Sequence, residues 1–373
     1  MNVKRRNILK TGLGAAGGVA LGAPAIVRAQ SDQTFTWRMT NAYPPEAPFY
    51  VSGPGSPENF VKKVADMSDG RLQIEHFAAG ELIPAMGGFE AVSNGTVQMN
   101  AANAYFWAGQ LPAAQYFTTV PFGMNFQGMN AWLYHGGGLE LWQELYADLN
   151  LVPFPMGNTG VQMTGWFKEP VESVADLDGL NMRIPGLAAD VYGRLGVNTQ
   201  VLPGGEIFPA LERGVIDAAE FVGPYQDRRM GLHQAAQYYY TTGWAEPSNV
   251  TELIVNREAW DSLPSDLRAI VRTAAMACNL ESHTWSEANN ADALRDLVEN
   301  HGVRADTLPE SVVQRLKEET FDRLEEFANQ DEQARRVHEA FFAFRRKHAS
   351  WAALSESPVH GLIQASKTAG RLS

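Results

Sequence analysis

Four side chains between residues 158 and 246 stand out for the chemistry they could do: Gln162, Arg183, Glu220 and Glu246. Arg183 lies in the apolar run Met182-Arg183-Ile184, just before Pro185-Gly186. A guanidinium is a planar fork of donors that matches a carboxylate in two parallel bonds. The plainer alternative is an arginine paired with a surface acid. Glu220 follows Ala218-Ala219 and precedes Phe221-Val222-Gly223, and Glu246 follows Gly243-Trp244-Ala245. Glu220's setting suits a carboxylate that is buried or at a strand end, and buried carboxylates need partners. The plainer alternative for both acids is a solvated side chain. Tyr105, Trp107, Asn158, Trp166 and Trp244 are candidate pocket walls, with Tyr105 and Asn158 the preferred polar contacts. Small-ligand pockets are mainly apolar with a few placed polar groups, although each aromatic taken alone suits a core equally well. Nothing points to a catalytic set. The eight histidines lack metal spacing, and Gly136-Gly137-Gly138 lacks the lysine and the strand–turn–helix setting of a phosphate loop.

The elements that must position these groups follow from pattern and composition. The chain has 373 residues, 45% hydrophobic and 19% charged, so it can bury a core and is not disordered. The length allows two or three domains. Its one cysteine, Cys278, sits in an apolar helical pattern and reads as a small buried hydrophobe. The first 29 residues carry Lys4, Arg5, Arg6, Lys10 and Arg28 and no acid. An apolar, Gly/Ala-rich run from Thr11 to Ile26 and the sequence Val27-Arg28-Ala29 complete an export signal. The arginine pair resembles a twin-arginine leader, with an ordinary secretory leader as the alternative. Its removal leaves 25 basic residues against 42 acidic ones, a net charge of −17. Such a surface repels nucleic acid and anionic membrane. It also repels an anionic ligand, so an anion site must carry local positive charge.

From Phe35 the pattern alternates: strand 35–39, helix 57–69, strand 72–77, helix 89–94, strand 97–101. That order predicts a parallel α/β sheet with ligands at the strands' carboxyl ends, here Asn103, Tyr105 and Trp107. A helix is expected over 138–149. Further strands follow at 162–167, 181–184, 199–202 and 216–221, with a helix over 207–212. A strand at 250–256 is expected to return to the first sheet, which makes a two-lobed, hinge-closing molecule. The remainder reads as helix, and residues 350–373 are weakly patterned.

Two stretches then carry a resemblance: Asp176-Leu177-Asp178-Gly179-Leu180-Asn181-Met182-Arg183-Ile184-Pro185-Gly186 and Leu211-Glu212-Arg213-Gly214-Val215-Ile216-Asp217-Ala218-Ala219-Glu220. Over residues 35–345 the chain resembles the extracytoplasmic solute-binding proteins of tripartite ATP-independent periplasmic (TRAP) transporters. Asn158-Thr159-Gly160-x-Gln162-Met163, Glu220-Phe221-Val222-Gly223-Pro224-Tyr225 and Gly243-Trp244-x-Glu246-Pro247 look like a narrower branch that binds 2-oxo or 2-hydroxy acids with a metal ion. The resemblance implies an α/β, two-lobed periplasmic-binding-protein clam with a hinge cleft and a helical C-terminal region. Residues 31–158 and 249–285 would form lobe I, 159–248 and 286–345 lobe II, and 346–373 a C-terminal extension. It implies that Arg183 grips the ligand carboxylate, and that Gln162, Glu220, the carbonyl of Phe221 and Glu246 hold the metal. Gln162, Asn158, Tyr105 and Trp244 would also touch the ligand. The branch commonly has tryptophan where this chain has Phe221, which removes an indole N–H from the pocket wall.

The charges fit that assignment. Two acids and one arginine leave the site at −1, and a monocarboxylate would take it to −2. Like charges about 4 Å apart repel by roughly 4 kcal/mol at an effective dielectric of 20. Sodium or calcium relieves this, and all-oxygen ligands suit those hard ions. The expected protein is therefore periplasmic and not an enzyme. It would capture a small 2-oxo or 2-hydroxy monocarboxylate for the membrane subunits of a TRAP transporter. The alternatives are a binder of C4-dicarboxylates or sugar acids, and an exported metal-dependent enzyme acting on an oxo acid. Members of the branch can form a homodimer through C-terminal helices, and residues 341–354 are apolar enough to allow it.

Overall fold

The computed structural model describes residues 33–45, 47–241 and 243–368; the expected leader, residues 1–29, lies outside them. The strands, in chain order, are β1 (Phe35–Asn41), β2 (Leu72–Phe77), β3 (Met99–Ala102), β4 (Leu151–Asn158), β5 (Gly165–Phe167) and β6 (Asn181–Arg183). They continue with β7 (Asn198–Gln200), β8 (Ala218–Ala219), β9 (Tyr238–Thr241), β10 (Val250–Asn256) and β11 (Arg304–Thr307). They form two sheets, ordered β2-β1-β3-β10-β4 and β11-β9-β5-β8-β6-β7.

The first three strands are parallel, as expected, while the sheet as a whole is mixed. β1 runs parallel to β2 and β3, but β10 runs antiparallel to β3 and β4. β10 does return to the first sheet as expected, but in the reversed direction. β4 went unrecognised because Pro153 and Pro155 cannot donate to a ladder. Its place at the sheet edge is where such a strand is tolerated. β11 is exposed along its whole length and offers no apolar alternation to read. The single helix expected over 138–149 is a shorter one, Gly138–Leu145, preceded by another at Phe126–His135. Residues Glu356–Thr368 of the weakly patterned tail are helical.

One helix ties the sheets together. Ser265–His301 has 37 residues and so spans about 55 Å. Its N-terminal half buries Leu267, Val271, Ala274 and Cys278 against Trp37, Phe60 and Leu253 of the first sheet and its helix Pro57–Met67. Cys278 is a buried free thiol, pushed up to about 12 by burial, as its apolar setting requires. Further along, Ser282 Oγ accepts from Asn158 N at 2.9 Å, Ser286 Oγ from Gln226 at 2.9 Å, and Asn290 Oδ1 from Tyr225 N at 3.1 Å. Gly55 packs against this helix at φ +73°. A Cβ there would stand 2.3 Å from Ser282 N, so only glycine fits. The second sheet packs Met182, Ile184 and Ala218 with Tyr192, Val312 and Leu316.

A buried acid sits inside β10. Glu252 is fully buried and accepts from Trp107 Nε1 and from Tyr146 OH, the latter at 3.0 Å. Trp107 thus belongs to the core, its ring 5.0 Å from that of Phe89, and not to a pocket wall. Burial pushes the Glu252 carboxyl up to about 7, against the pull of those two donors. A raised acid binds its proton more tightly in the folded than in the unfolded chain, so stability falls as pH rises from about 4.5 to about 7. In thermal melts, Glu252→Gln is expected to gain on the wild type across that interval. The gain at pH 8 should reach no more than about 3 kcal/mol, and the two proteins should converge at low pH.

Candidate functional site

Parallel pairing of β6 with β8 places Arg183 opposite Ala219, so Glu220 emerges beside the guanidinium. Glu220 N donates to Arg183 O at 3.0 Å. Arg183 Nη1 returns bonds to Glu220 O at 2.6 Å and Glu220 Oε2 at 3.2 Å, and Nε reaches Leu202 O at 3.4 Å. The pair is buried, with Arg183 2% and Glu220 1% exposed.

Two crossover segments between the sheets deliver the other groups. Residues 159–164 leave β4 for β5, and residues 243–249 lead into β10 from the β9 side. They bond to each other through Gln162 N and Glu246 O at 3.0 Å, and Met163 N bonds to Val222 O at 2.8 Å. Gly243 makes this approach possible: a Cβ there would stand 2.1 Å from Gln162 O. Gln162 and Glu246 are each 2% exposed. Gln162, Arg183, Glu220 and Glu246 therefore converge, and Phe221 joins them in the turn after Glu220. The Phe221 ring centre is 6.0 Å from Arg183 Cζ and 6.1 Å from that of Tyr50.

Two acceptors in this cluster lack a partner among the described residues. Gln162 Oε1 and Glu220 Oε1 are buried without a hydrogen-bond partner, while Gln162 Nε2 donates to Thr159 Oγ1 at 3.2 Å. Leaving a buried acceptor bare costs about 1–3 kcal/mol. The electrostatics point the same way. Burial, reinforced by the Glu246 charge and opposed by Arg183, holds Glu220 well above the usual carboxylate range. Burial pushes Glu246 up to about 7, opposed by Asn249 and Arg183. Bare oxygens and an excess of buried negative charge are what a hard cation satisfies, and the donor set is entirely oxygen. Among the described residues no group of three or more His, Cys, Asp and Glu gathers as a metal cluster; this set has two carboxylates, with an amide and a main chain making up the rest.

The remaining expected residues divide. Tyr105 lines the site, 6% exposed, its hydroxyl accepting from Asn249 Nδ2 at 3.3 Å. Asn158 spends its side chain within the protein: Nδ2 donates to Ser248 Oγ at 2.9 Å and Oδ1 accepts from Gly160 N at 2.8 Å. It shapes the turn that carries Gln162, with both ends of its amide engaged by Ser248 and Gly160. Trp244 packs its ring on Phe122 and Tyr192, at 5.6 and 5.2 Å. Trp166 is core, stacked at 3.9 Å on Tyr239 and donating to Asp227 at 2.9 Å.

Sequence reasoning missed several residues. Tyr43 and Tyr50 stack at 3.7 Å beside Phe221, and burial raises both hydroxyls well above their ordinary range. Asn249 donates to Glu246 Oε2 at 2.5 Å; its place three residues after Glu246 was the available signal. Asp227, pushed up to about 6 by burial, accepts from Val222 N at 3.1 Å and Tyr239 OH at 2.8 Å, and so braces the turn after Glu220.

Residues 51–331 match the family described as bacterial extracellular solute-binding protein, family 7. A monocarboxylate 2-oxoacid-binding periplasmic protein of Nostoc sp. (strain PCC 7120) is 41% identical over 369 residues, 98% of this chain and 100% of the relative. A TRAP solute-binding protein from Bordetella bronchiseptica RB50 superposes with a TM-score of 0.87 at 34% identity, covering 91% of this chain and 100% of that one. It is a mixed-occupancy dimer with calcium and picolinate in one site. A TRAP periplasmic solute-binding protein from Pseudoalteromonas atlantica T6c, with bound sodium and pyruvate, gives 0.85 at 37% identity, covering 88% and 99%.

The close passage of the two crossovers should not tolerate a side chain. Gly243→Ala is expected to lower stability by roughly 1–3 kcal/mol. Gly193→Ala, which meets nothing within 4 Å, should stay within about 0.5 kcal/mol of the wild type in the same thermal melts.

Proposed function

The chain belongs to family 7 of the bacterial extracellular solute-binding proteins, and on that footing we propose that it captures a small 2-oxo monocarboxylate of the pyruvate class together with sodium or calcium. The observation that carries this reading is the pair of partnerless buried oxygens, Gln162 Oε1 and Glu220 Oε1, next to a buried arginine. Gln162, Glu220, the Phe221 carbonyl and Glu246 hold the cation. Arg183 has its Nη2 uncommitted among the described residues and takes the ligand carboxylate. The cation supplies the positive charge that lets one more carboxylate enter a site already at −1. Tyr105 and the Tyr43–Tyr50 stack close over the ligand, and Phe221 forms the wall beside Arg183.

Residues 31–158 with 249–285 act as lobe I and 159–248 with 286–345 as lobe II, closing about the crossovers. The protein is exported by its leader to the periplasm, performs no chemistry on the ligand, and hands it to the membrane subunits of a TRAP transporter. A second copy covers the C-terminal helices, where Trp351 is 67% and Leu354 79% exposed. The dimer of the Bordetella bronchiseptica relative supports this.

Calorimetric titration of the mature, metal-stripped protein with pyruvate should give binding only when sodium or calcium is present. Arg183→Lys and Glu220→Gln should each weaken it roughly 100-fold or more. Binding of equal strength without any metal would refute coordination; no binding of any short 2-oxo acid would refute the ligand class. Light scattering should return the mass of two chains, and Trp351→Glu the mass of one. A wild-type mass of one chain would remove the dimer.

A further inference from the structure

A line of hydrogen bonds ends on Glu246, and each bond donates toward that carboxylate. Tyr43 OH donates to Asn103 Oδ1. Asn103 Nδ2 donates to Asn249 Oδ1 at 2.6 Å, and Asn249 Nδ2 donates to Glu246 Oε2 at 2.5 Å. The order is dictated by the chemistry of the ends. Asn103 Nδ2 also meets the main-chain carbonyl of Val250 at 3.1 Å, which can only accept. The amide is thereby oriented with Oδ1 toward Tyr43. At the other end Asn249 Oδ1 is taken by the Asn103 donor, so Asn249 presents its nitrogen to Glu246, which can only accept once it is ionised by holding a cation. The tyrosine at the start keeps its proton, because burial raises it well above its ordinary range. Tyr43, Asn103, Asn249 and Glu246 are all at most 2% exposed, so water does not compete, and successive bonds polarise one another in such a setting.

The line also crosses the fold. Tyr43 follows β1, Asn103 follows β3 and Asn249 precedes β10, three neighbouring strands of the first sheet. Its outer end rests on the other half of the molecule: a Cβ on Gly204, which opens the helix Gly204–Glu212, would stand 3.4 Å from the Tyr43 ring and 3.4 Å from the Phe221 ring. Tyr43 thus packs between Tyr50 of its own half, at 3.7 Å, and Gly204 of the other.

We propose that Asn103 and Asn249 form a positioning relay that fixes the Glu246 carboxylate through Oε2, presents Oε1 to the cation, and makes cation affinity depend on the Tyr43 hydroxyl at its far end. The relay rests on the reading of Glu246 as a cation ligand. It differs from the cation's ligand set in that Tyr43, Asn103 and Asn249 would act on the cation through the Glu246 side chain. Partners of metal ligands commonly contribute about 10–100-fold to metal affinity.

The test is a calcium titration of the metal-stripped mature protein in fixed pyruvate, repeated with sodium. Asn249→Ala should weaken cation binding about 10–100-fold. Tyr43→Phe removes a single hydroxyl at the far end of the line and should weaken it about three- to tenfold. In the Asn249→Ala background Tyr43→Phe should change nothing further, a loss of additivity that a merely structural role would not produce. If Asn249→Ala does not fold, the Tyr43→Phe titration decides alone. Wild-type cation affinity in Tyr43→Phe, or fully additive effects, would overturn the relay while leaving the cation site intact. A wild-type protein that binds neither cation would overturn the reading beneath it.

Discussion

The structure turns on a charge imbalance sealed away from water. Two carboxylates, Glu220 and Glu246, share one guanidinium in a place where each group is at most 2% exposed. Burial alone drives both acids toward their neutral forms, and each is pushed further or held back by its neighbours. An isolated arrangement of this kind would be costly. A bound cation would offset it, and among the described residues Gln162 Oε1 and Glu220 Oε1 are the buried oxygens of this cluster without a hydrogen-bond partner.

The architecture exists to bring that imbalance together from distant parts of the chain. Parallel pairing of β6 and β8 sets Arg183 beside Glu220. The two crossovers carry Gln162 and Glu246, and they touch because Gly243 has no side chain. Segments that carry binding groups also link the sheets, so a change in the relative position of the sheets must move the oxygens that would hold a cation. The long helix Ser265–His301 runs alongside, bonded through Ser282 to β4 and through Ser286 and Asn290 to the helix Pro224–Arg229. It supplies a common backing to both sides of the crossovers. Two further buried acids, Asp227 and Glu252, are satisfied by indole and phenol donors, Trp166 with Tyr239 and Trp107 with Tyr146. Those acids are brace and core, whereas Glu220 keeps one oxygen without a partner among the described residues.

Much of the fold was legible where local pattern and burial agree. The strands at 35–41, 72–77 and 250–256 alternate or run apolar in the way their sheet requires, and the helices after Pro57 and Glu310 show a single apolar face. β4 was lost to its two prolines and β11 to its wholly exposed face, since both are held by pairing that a side-chain pattern does not record. The direction of β10 was equally hidden, because strand polarity within a sheet depends on where the chain has been in between. Trp107 and Trp166 illustrate the same limit for the site: an aromatic beside a strand end looks alike in a wall and in a core.

The sequence by itself determined the chemistry on offer: one arginine in an apolar strand, acids embedded among small and aromatic residues, an amide after a glycine turn, and a chain acidic enough to demand local positive charge. Those are properties of residue type and immediate neighbours, and they survive without coordinates. Only the tertiary structure decided which of these groups share a volume and which have spent their polar atoms elsewhere. Asn158 fell out because Ser248 and Gly160 occupy both ends of its amide. Tyr43, Asn103 and Asn249 came in because β1, β3 and β10 lie side by side, although Tyr43 and Asn249 are separated by most of the chain. Hydrogen-bond satisfaction is a statement about distances between residues far apart in sequence, and local pattern carries no record of it.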